Sequence, residues 1–331
     1  MRSASSVNAE GPNPSVGSFI GALASVDLRP PRGGSYDLRH RKRWAYAAVS
    51  AGDLYLGVAI TDAGYAGNGF AFAARPSGPG RGMLIDRSFL TLPRVGARVG
   101  DRPEEGCDAW FRAPGAYLRL HRPLGSTAFE LTVDASGLSV HASLETSGAP
   151  LAFGTVSRLK GGDLGVTQKR ALLPVRGEVR LHGESHRLEG GLGGLDYSHG
   201  FLPRKTEWRW AYLLGKTSDG RLLGLNLVEG FHGEGECAVW LGDEVFPLGE
   251  GRFRFNAARP LDPWTVKSAD GAVDLRFTPS CMHVERRNLL LIRSSFIQPV
   301  GAFSGTVRVP GRGTVELEAC PGVVEDQRVV W

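Results

Sequence analysis

The chain has 331 residues, 42% hydrophobic and 22% charged, the balance of a globular protein with room for two cores of about 150 residues each. Its net charge of +5 is carried by scattered arginines, and no nucleic-acid-binding motif is present, so nucleic acid is not an expected partner. Forty-six evenly spread glycines and no sustained helical apolar stripe exclude a helical protein, and the longest apolar runs, such as Leu289 to Ile292, are far too short for a transmembrane segment.

Met1 to Ser18 is small and polar and reads as a flexible tail. The basic run Arg39-His40-Arg41-Lys42-Arg43 reads as a solvated segment ahead of the first strand. From Trp44 onward, strand-length runs alternate with Gly, Pro and Asp-Gly turn signals. Leu54 to Ile60, Tyr117 to His121, Phe129 to Val133 and Leu138 to Leu144 are the clearest in the first half. Trp208 to Leu214, Leu222 to Val228, Val273 to Phe277 and Thr314 to Leu317 follow in the second. Such spacing predicts an antiparallel meander. Cys107, Cys237, Cys281 and Cys320 have no metal-type spacing, and the N-terminal residues do not read as a signal peptide. The cysteines are expected to be free thiols in a cytoplasmic protein, with peripheral membrane contact left open.

An internal repeat organises these elements. Trp44-Ala45-Tyr46 is followed by Leu56-Gly57-Val58-Ala59-Ile60, and Trp210-Ala211-Tyr212 by Leu223-Gly224-Leu225-Asn226-Leu227. Gly177, Val179, Arg180, Gly183 and Gly194 recur at one constant offset as Gly305, Val307, Arg308, Gly311 and Gly322. Two copies of one β unit explain both matches. The expected division is a tail over 1–18, a first domain over 19–203 and a second over 204–331. Each unit is large enough for a barrel of about eight strands, with room for one small ligand. A pair of flat sandwiches is the alternative.

One compound motif runs Gly190-Gly191-Leu192-Gly193-Gly194-Leu195-Asp196-Tyr197-Ser198-His199-Gly200, then Thr206-Glu207-Trp208-Arg209-Trp210, then Asp219-Gly220. Together with Phe296 to Gly305 and Gly322-Val323-Val324-Glu325-Asp326 it closely resembles a bacterial family of uncharacterised two-domain proteins. Glu236-Cys237 stands where that pattern has Glu-Asn. More distantly, the motif order is similar to the tandem calycin superfamily of carotenoid hydratases, tocopherol cyclases and certain Diels–Alder cyclases. The resemblance implies an all-β fold of two tandem lipocalin-like antiparallel β-barrels from an internal duplication. It also implies an apolar small-molecule ligand (lipid, isoprenoid or polyketide-like) held in a β-barrel pocket. Cofactor-independent isomerisation, hydration or cyclisation by acid catalysis is one expectation, and a non-catalytic carrier is the other.

The candidate site lies around the Thr206 to Glu229 hairpin. If Asp219-Gly220 is a two-residue turn, Trp210 faces Glu229 and Tyr212 faces Leu227. Trp208, Trp210, Tyr212 and Glu229 then share one face, and Arg209, Asn226 and His232 the other. The aromatics suit either a lumen wall or a plain core. Asp196 is the candidate acid, because a carboxyl pointing into an apolar interior tends to keep its proton. A turn cap is the competing reading. His199 and Glu229 are candidate assistants, and Tyr197, Trp208, Trp210, Tyr212 and Asn226 candidate ligand contacts. The His199, His232 and Glu236 spacing supports no metal site. The Gly190 to Gly194 run lacks a phosphate loop's Lys-Ser/Thr, so no cofactor is expected.

Overall fold

The computed structural model describes residues 2–4, 10–11, 15–92, 95–159, 163–289 and 292–331. The chain forms two main antiparallel sheets. The first runs Gly82–Thr91, Gly67–Arg75, Leu54–Asp62, Arg41–Ala51, Gly191–Phe201, Leu164–Leu181, Leu138–Glu145, and on through Ala128–Ala135, Ala116–His121 and Asp108–Ala113 to Ala97–Val99. It curls until the Ala97–Val99 edge touches Leu54–Asp62. The second runs Glu244–Pro247, Ala238–Leu241, Leu222–Gly230, Lys205–Lys216, Gly313–Val330, Ile292–Val309, Val273–Leu289, Trp264–Ser268 and Gly251–Arg254. One nearly closed barrel and one half-barrel result.

The two sheets repeat one plan. Arg41–Ala51 lies between its hairpin partner Leu54–Asp62 and the late strand Gly191–Phe201. Lys205–Lys216 lies between its hairpin partner Leu222–Gly230 and the last strand Gly313–Val330. Trp44 and Trp210 therefore sit on equivalent strands of two duplicated units. The chain crosses from one sheet to the other between Phe201 and Lys205. Much of the tail expected over 1–18 lies outside the described residues, although Arg2–Ser3 pairs in parallel with Phe19 and Ile20.

The basic run is only partly solvated: Arg39 is exposed, but Lys42 is buried. Gly34–His40 is a short helix that leads directly into the Arg41–Ala51 strand. Lys42 is fully buried there, and its ammonium donates to the Arg39 carbonyl at 2.6 Å and the Ala63 carbonyl at 2.9 Å. Carbonyls left unpaired at a helix C-terminus attract such a donor. Burial in turn pulls the Lys42 pKa down to about 7.

Strands of two kinds share the first sheet. Ala128–Ala135 and Leu138–Glu145 alternate buried and open positions, as a sheet with one wet face does. Arg41–Ala51, Leu54–Asp62 and Gly191–Phe201 are instead buried on both faces over most of their length. Their alternation sends Ala45, Ala47 and Val49 into the first sheet's own core. Tyr46 and Ala48 enter a second core shared with Trp210, Tyr212 and Leu225 of the other sheet. Small residues permit that approach: a Cβ at Gly194 would fall 1.8 Å from the Tyr212 hydroxyl oxygen.

The hairpin register differs by one residue from the expected pairing. Thr217 bonds the Arg221 carbonyl, so the loop is Ser218-Asp219-Gly220, with Gly220 at φ +88°. Three loop residues pair Trp210 with Val228, Tyr212 with Asn226 and Arg209 with Glu229. A slip of one moves each side chain of a strand to the other face. It brings Asn226 to the Trp210 face and takes Glu229 away from it.

Candidate functional site

Between the two sheets lies a cavity of about 190 Å³, with walls drawn from both. The pocket expected inside a barrel thus lies where the units meet. Its walls are largely aromatic, including Trp44, Phe70, Trp208, Trp210, Phe231 and Phe296. Trp44 stacks on Trp208 with centroids 5.7 Å apart, and Tyr46 meets Trp210 edge-on at 5.3 Å. The repeated Trp-Ala-Tyr segments therefore build one site from opposite sides.

The inner end of the cavity holds one ammonium and three carboxyls: Lys169, Asp196, Glu236 and Glu325. Lys169 owes its position to a bulge between Arg170 and Leu173, where Leu172 takes a φ of +60°. An extra residue reverses the alternation of a strand. Thr167 and Lys169, ahead of the bulge, face the second sheet, whereas Leu173 and Val175 beyond it enter the first core. Lys169 Nζ lies 2.6 Å from Asp196 Oδ1 and 3.1 Å from Glu236 Oε2. Asp196 sits in mid-strand opposite Tyr46, not at a turn. Its other described partners are hydroxyls, Ser198 at 3.3 Å and Thr167 at 3.5 Å.

One ammonium cannot neutralise two carboxylates. Burial, reinforced by the Asp196 charge and opposed by Lys169, pushes the Glu236 pKa up to about 7. Among the described residues, Glu236 Oε1 has no hydrogen-bond partner. Glu325 accepts from Trp208 Nε1 at 2.6 Å and from Gln298 Nε2 at 3.0 Å. Burial still outweighs these bonds and lifts its pKa to about 8. Asn226 braces the wall: it accepts from Trp210 Nε1 at 2.7 Å and donates to the Glu236 carbonyl at 2.7 Å.

Of the residues singled out in the sequence, Asp196, Trp208 and Trp210 line the cavity. Tyr212 and Asn226 stand behind its wall, with the Tyr212 hydroxyl donating to the Arg170 carbonyl. Tyr197 and His199 point to the opposite face of their strand. Tyr197 donates to the Gly100 carbonyl at 2.9 Å. His199 Nε2 lies 2.8 Å from Arg41 and 3.3 Å from Arg43. Burial first, and those guanidiniums second, hold the His199 pKa well below the imidazole range. Glu229 is held by Arg209 at 2.7 Å, outside the cavity. His232 bonds Ser157 and is kept neutral by burial and by Lys169, its pKa near about 3. Sequence reasoning missed Lys169 and gave Glu325 and Gln298 no role, although both stand in the stretches that carried the resemblance.

No curated protein matches the sequence. Among solved structures, kievitone hydratase from Nectria haematococca is similar, with a TM-score of 0.52 and 12% identity over 97% of this chain and 96% of its own. CghA with Sch210972 gives a TM-score of 0.52 and 12% identity over 95% and 98%. Identity this low shows a common fold, the tandem arrangement of two lipocalin-like units. The family model for the domain of unknown function (DUF2804) matches residues 26–331, and the chain belongs to that family.

Proposed function

We propose that the cleft takes up an apolar small molecule and moves a proton on it, the step that hydration, isomerisation or cyclisation of an alkene requires. The observation that carries this reading is an aromatic-walled cavity with three carboxyls and a single ammonium at one end. Glu325 and Glu236 hold their protons far above the usual carboxyl range, at about 8 and about 7, and Glu325 is the donor. A general acid works best with a pKa near the working pH. Transfer of its proton to an alkene carbon leaves a cation beside the Glu325 carboxylate. Asp196, held by Lys169, takes a proton from attacking water or from the neighbouring carbon, and proton exchange with solvent restores the Asp196 acceptor and the Glu325 acid. Trp44, Trp208 and Trp210 line the cavity and supply the aromatic surroundings that stabilise the passing cation. His199 and Glu229 have no contact with the cleft and are left with structural roles. A similar fold bearing the name of a hydratase supports the reaction class.

The test is incubation with a panel of isoprenoid alkenes in deuterated water, followed by mass spectrometry of the recovered compounds. The wild type is expected to incorporate deuterium, and Glu325→Gln to do so about 10²–10⁴-fold more slowly with binding retained. Binding without incorporation across the panel would leave a carrier and remove the acid chemistry.

A further inference from the structure

The cleft is polar at both ends, and among the described residues six lining side chains carry a buried polar atom without a hydrogen-bond partner. One is the Tyr46 hydroxyl, beside Tyr55, and the other five fall into two separated groups. At the inner end are Glu236 Oε1 and Gln298 Oε1, both on fully buried side chains. Turning the Gln298 amide over would free its nitrogen instead of its oxygen, so one end of that amide stays unpaired in either orientation. At the rim are Arg287 Nε, Asn68 Oδ1 and the Tyr65 hydroxyl. All five residues line the cavity.

Strand register sets the separation. Gln298 and Ser294 lie on one strand, four residues apart, and Ser294 pairs with Arg287. At about 3.3 Å per residue the strand positions of Gln298 and of the Arg287 partner Ser294 lie about 13 Å apart. Phe296 lies between them on the same strand, and Phe70 and Trp44 lie on the facing sheet.

The rim guanidinium is only partly engaged. Glu285 approaches Arg287 Nη2 at 3.4 Å and commits its other oxygen to Asn68 Nδ2 at 2.9 Å. Among the described residues nothing bonds Arg287 Nε, although that nitrogen is shielded from solvent. A buried N–H without a partner is costly, and an arginine edge is shaped for an acceptor oxygen.

We propose that the ligand is an elongated amphiphile, with an acceptor-oxygen head group, a carboxylate, on Arg287. Its apolar body lies between the aromatic walls, and its reacting end meets Glu236, Gln298 and Glu325. This rests on the apolar-ligand reading above and adds orientation and head-group chemistry. The rim then fixes which carbon lies beside the Glu325 proton.

Displacement of the neutral fluorophore Nile red tests it, with laurate and lauryl alcohol as matched competitors. For the wild type, laurate is expected to displace the dye at about 10–100-fold lower concentration than the alcohol, the range of a charge-assisted hydrogen bond. Arg287→Gln is expected to remove that gap while leaving the alcohol's affinity unchanged, which also shows that the variant is folded. Arg287→Lys, which keeps the charge and loses the planar fork, is expected to restore only part of it. Equal displacement by both competitors in the wild type, or an undiminished gap in Arg287→Gln, overturns the head-group assignment alone. Failure of Nile red to bind the wild type overturns the apolar cleft as well.

Discussion

Burial has opposite consequences for the acids and the bases of this protein, and the site's pH behaviour follows. Glu236 and Glu325 bind protons more tightly folded than unfolded, at about 7 and about 8 against an ordinary 4.5. The stability they contribute is fully present below the unfolded value and is lost as pH rises through the folded values. Wild type compared with Glu325→Gln isolates this from Lys42 and the histidines, whose pKa values are lowered and act in the opposite sense. The wild type's melting temperature relative to the variant should therefore fall between pH about 5 and pH about 8.5. A constant difference would mean that Glu325 is ionised throughout. Lys169 raises a separate expectation. Its removal in Lys169→Met strands two buried carboxyls and should cost about 3–5 kcal/mol in denaturant unfolding. Asp196→Asn should cost less, because the amide oxygen still accepts from Lys169 and Glu236 keeps the ammonium partnered.

At the scale of elements, the Gly191–Phe201 strand and the Lys205–Lys216 strand depend on each other. Gly194 faces the Tyr212 ring so closely that a methyl group requires one sheet to shift. Gly194→Ala should destabilise by about 1–3 kcal/mol, an overpacking cost. Tyr212→Phe removes the atom nearest the new methyl, so the double variant should lose less than the two single losses combined. Strict additivity in a double-mutant cycle would refute the contact. The Lys205–Lys216 strand and its hairpin with Leu222–Gly230 were legible in the sequence, because alternating runs and turn residues are local signals, whereas the glycine-rich start of Gly191–Phe201 read as a turn. The hairpin's register was not legible. A three-residue loop at Ser218-Asp219-Gly220 and a two-residue turn at Asp219-Gly220 use the same Asp-Gly signal. Choosing between them decided whether Asn226 or Glu229 shared the Trp210 face. The bulge at Leu172 was equally hidden, since a leucine at positive φ leaves no trace in composition.

Over the whole molecule, the second core contains residues of both sheets, Tyr46, Phe70 and Phe72 from one and Trp210, Tyr212 and Leu225 from the other. Neither unit completes its own apolar burial. Unfolding is expected as one cooperative transition, and residues 204–331 expressed alone should lack a dispersed NMR spectrum. A folded isolated second unit would show that the shared core is dispensable. The thiols report on the same cooperativity. All four cysteines are free and buried, with Cys107, Cys237 and Cys320 pushed up to about 12 by burial. A thiol reagent should leave them unmodified in the native protein and titrate four once it is unfolded.

The sequence by itself determined the β class, the duplication and the aromatic segments of the candidate site, because turn chemistry, period-2 alternation and self-similarity are written in neighbouring residues. It also marked Asp196, Trp208 and Trp210, which line the cavity. Only the tertiary structure decided that the cavity lies between the units, since that depends on which outer faces are small enough to meet. It also brought Lys169, Glu236 and Glu325 to Asp196 from three other parts of the chain. Proton affinities followed from that assembly, because a carboxyl's charge is penalised by the low-dielectric volume around it, and no stretch of sequence encodes that volume.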